Sequence, residues 1–377
     1  MRQEDKRNRL NMAGKRRSRS SRRLKHKRFR SQFSESHPFV LAIFGCQYHD
    51  DEPDASKSAL IARFQTLLSH TRAKHIETLE NDDINEERGS SRVWMSYWFS
   101  PQQYESWWQS PNVASFWRFL PNTAGFWREK LQFTAKNSMF ESNHARPNGF
   151  SHVGSFAPLV DKTGYWGAYR DRLDPNDSLA CPLQSIAIPC QSTGTKVRPG
   201  RVKIDTFPEN ICCVIEGQDF SSVHDKELQY WCENFDELTN EWVTICLEAD
   251  SLDGILSSRI CHDPTSSLIP STTSRHWAGG LKHNRRLQIF YFQDLSFMER
   301  LGKKYQAHRD LRKAFSQAYG PDGPMFGGDL LLWVDLGVLK AGDIEAEYVG
   351  CYEGTGFMGF AGHEAFGGEN KGVRAHL

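Results

Sequence analysis

A pattern that occurs twice limits the fold more than any other feature of the chain. Residues 93–110, VWMSYWFSPQQYESWWQS, read as a strand, a tight turn and a helix, with Ser100 as N-cap and Pro101 at the first helical position. Residues 285–308, RRLQIFYFQDLSFMERLGKKYQAH, repeat that order. Trp98-Phe99 lines up with Tyr291-Phe292, and Tyr104 with Phe297, at one constant offset. Strands separated by helices in two similar halves predict the α+β class. The expected form is a duplicated βαβ-type sandwich, with helices covering one face of each antiparallel sheet.

Residues 38–48, 91–99, 329–339 and 346–356 read as strands, and RVKIDTFPENICCVI as two strands around Pro208. Residues 58–70 and 223–247 carry apolar residues at helical spacing. PNVASFWRFL and TAGFWREKLQF continue as aromatic-rich helical segments. Residues 136–163 read as a long loop, and 250–284 as irregular. No run approaches roughly 18 apolar residues, so no transmembrane helix is expected. The N-terminus has no apolar core of a secretory signal.

The net charge of +1 hides an asymmetry. Residues 1–30 hold 14 Lys and Arg against two acids, whereas the remainder holds 33 basic and 44 acidic residues. This predicts a disordered basic arm over 1–37, an ordered body over 38–356 and a flexible Gly-rich tail over 357–377. With no other nucleic-acid motif, the arm is weak ground for a nucleic-acid function. The 9 Cys are scattered without a CxxC pair, which suits a reducing compartment such as the cytoplasm. The arm leaves a nuclear or mitochondrial address open. Cys212 and Cys213 should point to opposite faces of a strand.

Hydrolase and nucleotide signatures are missing: there is no GxSxG, no GxxxxGK[ST] and no GxGxxG after a strand. NICCVIEGQDF (210–220) reads as a buried strand, Ile211 to Ile215, that delivers Glu216 into a Gly-Gln-Asp turn. An acid so placed has either turned to solvent or sits in a site, because burying an unpaired charge costs several kcal/mol. His308, at the end of the helix from Leu295, is either a helix cap or the single imidazole ligand of a haem. In GYWGAYRDRL (164–173) an Arg is either part of a surface pair with Asp171 or aims into a pocket. Aromatics are 12% of the chain, enough to line a cavity for a bulky planar ligand.

In order along the chain, PNVASFW, GYWGAYRDRL, ENICCVIEGQDF, FMERLGKKYQAH and EYVGCYEGTG resemble the haem-containing aldoxime dehydratases, the phenylacetaldoxime dehydratase family. The resemblance spans Phe39 to Gly356. It implies two ferredoxin-like halves of the dimeric α+β barrel type, haem b bound between them, and a homodimer. The implied reaction converts R–CH=N–OH to a nitrile and water at ferrous haem, with a distal acid protonating the leaving hydroxyl. The proximal His of the family falls on His308, as the haem-iron ligand, and the distal Arg on Arg172. The family's distal Ser falls on Glu216 and its catalytic distal His on Val334. Valine transfers no proton, so the resemblance keeps the haem ligand and the Arg but loses the proton machinery. Glu216 is the expected replacement acid, with Asp335 and His224 as alternatives. Two other functions fit a distal Glu and Arg on a His-ligated haem: peroxide-dependent or other nitrogen-substrate chemistry, and a non-catalytic haem-binding protein.

Overall fold

The computed structural model describes residues 28–33, 37–48, 52–82, 89–158, 173, 178–183, 196–249, 252–269 and 279–367. After β1 (Phe29–Gln32), a first βαββαβ unit runs through β2 (Pro38–Tyr48), α1 (Ala55–Ser69), β3 (His75–Asp82), β4 (Ser90–Trp98), α2 (Pro101–Trp108), α3 (Pro111–Arg118) and β5 (Phe126–Thr134). Short strands β6 (Ser138–Ser142), β7 (Ser155–Pro158) and β8 (Arg201–Ile204) follow. The second unit is β9 (Ile211–Asp219), α4 (Asp225–Asn234), α5 (Asp236–Glu248), β10 (Ile255–His262), β11 (Arg285–Phe292), α6 (Leu295–Lys304), α7 (Gln306–Ala318) and β12 (Leu331–Leu339). The last strand is β13 (Ile344–Val349).

Among the described residues thirteen strands join one antiparallel sheet in the order β7-β1-β6-β12-β9-β11-β10-β3-β4-β2-β5-β13-β8. Within each half the unit's first strand lies between its third and fourth, which is the ferredoxin-like order. The halves meet edge to edge at β10 and β3, through Cys261↔Asn81 and His262↔Glu80. The helix-free faces share one core, with Leu41, Ile43 and Leu131 from the first half and Ile215, Leu287 and Ile289 from the second. Helices cover the other faces, over one core in the first half and two in the second. Cys212 belongs to the helix-covered core and Cys213 to the shared one, as strand alternation requires.

Two glycines fix the equivalence of the halves. Gly45 faces Trp127 across β2–β5, and Gly217 faces Trp333 across β9–β12. In each case the indole lies over the glycine: an added Cβ would come within 2.2 Å of Trp127 or 2.0 Å of Trp333. Gly45→Ala and Gly217→Ala should each destabilise the fold by about 1–3 kcal/mol or more through overpacking, read as a lower urea midpoint. This register also corrects the repeat. Val40 opposes Trp98 and Cys212 opposes Phe292, so Trp98 matches Phe292 rather than Tyr291. A slip of one residue exchanges sheet faces, which is why it matters.

Other expectations change too. TAGFWREKLQF is not helical; it holds central strand β5. Trp127, Leu131 and Phe133 face the shared core while Phe126 faces α1–α3, a period of two. The loop expected over 136–163 contains β6 and β7, and the irregular 250–284 contains β10. The helix expected over 223–247 is split at Phe235 into α4 and α5. β1 pairs with both β6 and β7, so the last residues of the expected arm are in the sheet. The expected tail also contributes to the core: Phe357, Phe360 and Phe366 are buried there. Among the described residues no helix is long and apolar enough to cross a membrane.

One buried polar cluster ties the halves together. Glu129 of β5 is fully buried and accepts four hydrogen bonds. Arg259 of β10 donates to both oxygens at 2.8 and 2.6 Å, Tyr291 of β11 donates at 2.9 Å and Tyr348 of β13 at 2.8 Å.

Candidate active site

The duplication sets up a direct comparison between the two helix-covered faces. Phe44 precedes Gly45 as Glu216 precedes Gly217. In the first half Phe44 is flanked in register by Trp94 and Arg128; in the second, Glu216 is flanked by Gln288 and Val334. The first half is filled. Phe44 packs on Phe64 at 5.1 Å and Trp107 at 5.8 Å, Phe64 packs on Trp94 at 5.0 Å, and Arg128 lies 4.3 Å over Trp108. The second half, between its own sheet and helices, holds a cavity of about 230 Å³. Glu216 and Gln288 line it from the sheet, Trp242 from α5, His308 and Phe315 from α7, and Arg28 from the segment before β1. The aromatics of α2 and α3 fill the first half, and the cavity lies in the second half.

Glu216 is mid-strand, not at a strand end, because β9 continues to Asp219. The Gly-Gln-Asp segment reads as a turn, yet Gly217 stays extended to admit Trp333. Burial alone pushes the Glu216 carboxyl up to about 7. Such a group is substantially protonated at neutral pH and can donate a proton.

His308 lies in the first turn of α7, not at a helix C-terminus. Its ring stacks on Trp242 at 4.4 Å. Nδ1 stands 2.6 Å from the carbonyl oxygen of Gly302 in the last turn of α6. A carbonyl only accepts, so Nδ1 carries the proton and Nε2 keeps the lone pair. Burial holds the imidazole pKa below its ordinary value, which keeps the ring neutral. Gly302 leaves room for this: an added Cβ would sit 3.0 Å from His308 Cε1.

The other predicted positions divide. Val334 is fully buried beside Glu216 on the same sheet face. Asp335 points the opposite way, buried toward the shared core, where its Oδ1 accepts from the Phe150 backbone N–H at 2.9 Å. His224 is an exposed residue at the start of α4. Neither lines the cavity. Arg172 lies outside the described residues. The sequence reading missed Arg28, Glu141, Gln288 and Trp242. Only Gln288 carried a signal, as a polar residue inside the apolar repeat strand RRLQIFYF.

The donor chemistry suits a haem. Among the described residues no group of three or more His, Cys, Asp or Glu could hold a bare metal ion, so the site offers one imidazole and no cage. The donor is a neutral imidazole held by a backbone carbonyl, the arrangement that fixes a metal-ligating tautomer. The Gln288 Nε2, Thr239 Oγ1 and Trp231 Nε1 atoms are buried without a partner among the described residues, and all three residues line the cavity. Buried polar groups without partners call for a ligand or water.

Fold and cavity together define a duplicated α+β barrel-type protein whose second half holds a cavity faced by one neutral imidazole. A sequence model of haem-containing dehydratases matches residues 42–357, and the chain belongs to that family. The phenylacetaldoxime dehydratase of Bacillus sp. (strain OxB-1) is 26% identical over 225 residues, 59% of this chain. The chain spans 59% of that relative's length. Two solved structures share the fold. An aldoxime dehydratase in complex with butyraldoxime superposes with a TM-score of 0.70 at 18% identity, over 88% of this chain and 89% of its own. A second aldoxime dehydratase gives 0.69 at 18% identity, over 89% and 91%.

Proposed function

We propose that this chain is a haem-dependent lyase that dehydrates an aldoxime, R–CH=N–OH, to a nitrile and water, with haem b held by His308. The observation that carries this is a weakly acidic carboxyl and a neutral imidazole in one cavity, Glu216 on the sheet and His308 on α7. When bound, the haem supplies an electron-rich Lewis acid for the substrate nitrogen. The protein's own part is orientation and proton transfer. The Glu216 carboxyl gives its proton to the leaving hydroxyl, which departs as water. The resulting carboxylate then accepts the proton from the aldoxime carbon, so the acid is regenerated and the net change is loss of water alone. Trp242 and Phe315 supply apolar walls for R and exclude bulk water. Arg172 belongs to this reading as a cation that would act on the substrate, as do a homodimer and a cytoplasmic location.

The reading is supported by what its relatives are called, phenylacetaldoxime dehydratase and an aldoxime dehydratase holding butyraldoxime. Those two aldoximes are the first substrates to try. Titration of the apoprotein with haem tests the ligand independently of turnover. One equivalent should bind with the spectrum of an imidazole-ligated haem. His308→Ala should lose that spectrum, and imidazole added to the variant should restore it. Gly302→Ala, which crowds the ring, should weaken haem binding without unfolding the protein. Unchanged binding and spectrum in His308→Ala would remove His308 from the site.

A further inference from the structure

The N-terminal segment brings a second charged group into the cavity. Arg28 lines it together with Glu216 and His308. Arg28 Nη1 donates to Glu141 Oε1 at 2.8 Å, and Glu141 is 1% exposed. Glu141, Val334 and Glu216 are register partners across β6, β12 and β9, so they form one row on the cavity side of the sheet. The two carboxyls therefore flank Val334, separated by two strand spacings of about 4.8 Å each. The segment is anchored because β1 pairs with both β6 and β7, and Arg30 lies opposite Glu141.

Each member of the row has a different capacity. Val334 can neither donate nor carry charge. Glu216 faces the cavity as an acid. Glu141 fixes a guanidinium at the far side of Val334. A guanidinium keeps its charge and presents five N–H donors in a fixed planar fork. As the N–O bond breaks, negative charge collects on the departing oxygen. A fixed cation at that point stabilises it without reorganisation.

We propose that Arg28 is a substrate-facing residue, held by Glu141, that donates hydrogen bonds to the N–O oxygen of the bound aldoxime from the side where Val334 is inert. This rests on the proposed dehydratase function. It makes the N-terminal segment part of the active site and divides the labour: Arg28 holds the oxygen while Glu216 protonates it.

The test uses full-length holoprotein with Arg28→Met, Arg28→Lys and Glu141→Gln. Arg28→Met should lower kcat by about 10²-fold, the usual effect of deleting one oxyanion donor, with a smaller change in KM. Arg28→Lys, which keeps the charge, should recover part of it. An independent readout is the C–O stretching frequency of the ferrous carbon monoxide adduct. Loss of a nearby positive donor should raise it in Arg28→Met and less in Arg28→Lys. Glu141→Gln should broaden that band by releasing the guanidinium from one position. If Arg28→Met binds haem normally but changes neither kcat nor the C–O frequency, Arg28 is only a structural partner of Glu141 and the proposal fails. If wild-type protein binds haem but makes no nitrile, the dehydratase reading fails instead, and the C–O shift alone decides whether Arg28 faces the bound ligand.

Discussion

Glu216→Gln should cut kcat for aldoxime dehydration by about 10²–10⁴, the contribution of a positioned general acid, while the haem spectrum is unchanged. Glutamine keeps the shape and polarity of the side chain and removes only the transferable proton. The pH dependence carries the same signature. The carboxyl sits at about 7 rather than the ordinary 4.5 because desolvation inside the cavity disfavours its charged form. The proton-donating form therefore dominates below pH 7, and kcat should fall as pH rises through about 7. The Gln variant should show no such limb. The sign for stability is the same. A folded-state pKa above the unfolded value means that this group's stabilisation is fully present below about 4.5 and is lost as pH rises through about 7. Glu216→Gln should thus narrow the stability difference between pH 5 and pH 8. A Gln variant with wild-type kcat and an unchanged pH profile would exclude Glu216 as the acid.

The largest stability effect is expected far from the cavity, at Glu129. Its two oxygens, with no exposure to solvent, accept four hydrogen bonds from the buried Arg259, Tyr291 and Tyr348, which lie on β10, β11 and β13. Glu129→Ala strands the Arg259 guanidinium and two phenols between the halves. Removing one partner of a buried pair costs about 3–5 kcal/mol. Urea unfolding should show that loss. Replacing both charged partners with apolar residues, Glu129→Leu with Arg259→Met, should be less damaging than Glu129→Ala alone, because no uncompensated charge remains. A loss below about 1 kcal/mol for Glu129→Ala would mean that the cluster does not bind the halves together.

These two residues also show how far local sequence reaches. The duplication was legible because caps, turns and strands recur within short windows. Strand β5 was not, because Arg128, Glu129 and Lys130 look solvent-facing. Four of the groups they pair with, Glu345, Arg259, Tyr291 and Tyr348, are more than a hundred residues away. Glu216 was legible as an acid out of place in an apolar strand. Its position within the strand was not, since Gly217 reads as a turn residue until Trp333 is seen lying across it. His308 was found by resemblance. Its place in the first turn of α7 depends on a helix break at Tyr305 that the apolar spacing does not mark. Arg28 was hidden by composition, as one cation among fourteen. The hollow second half was hidden for a related reason: the abundance of aromatics suggested a lined pocket, whereas their clustering around Phe44 and Phe64 fills the first half.

Nitrile formation tests the account most directly. Haem-loaded protein, reduced with dithionite under anaerobic conditions, is mixed with phenylacetaldoxime or butyraldoxime near pH 6.5, and the products are separated by gas chromatography. The corresponding nitrile should form at multiple turnovers, with none from His308→Ala and a residual trace from Glu216→Gln. A reduced, fully haem-loaded wild-type protein that returns both aldoximes unchanged would contradict it.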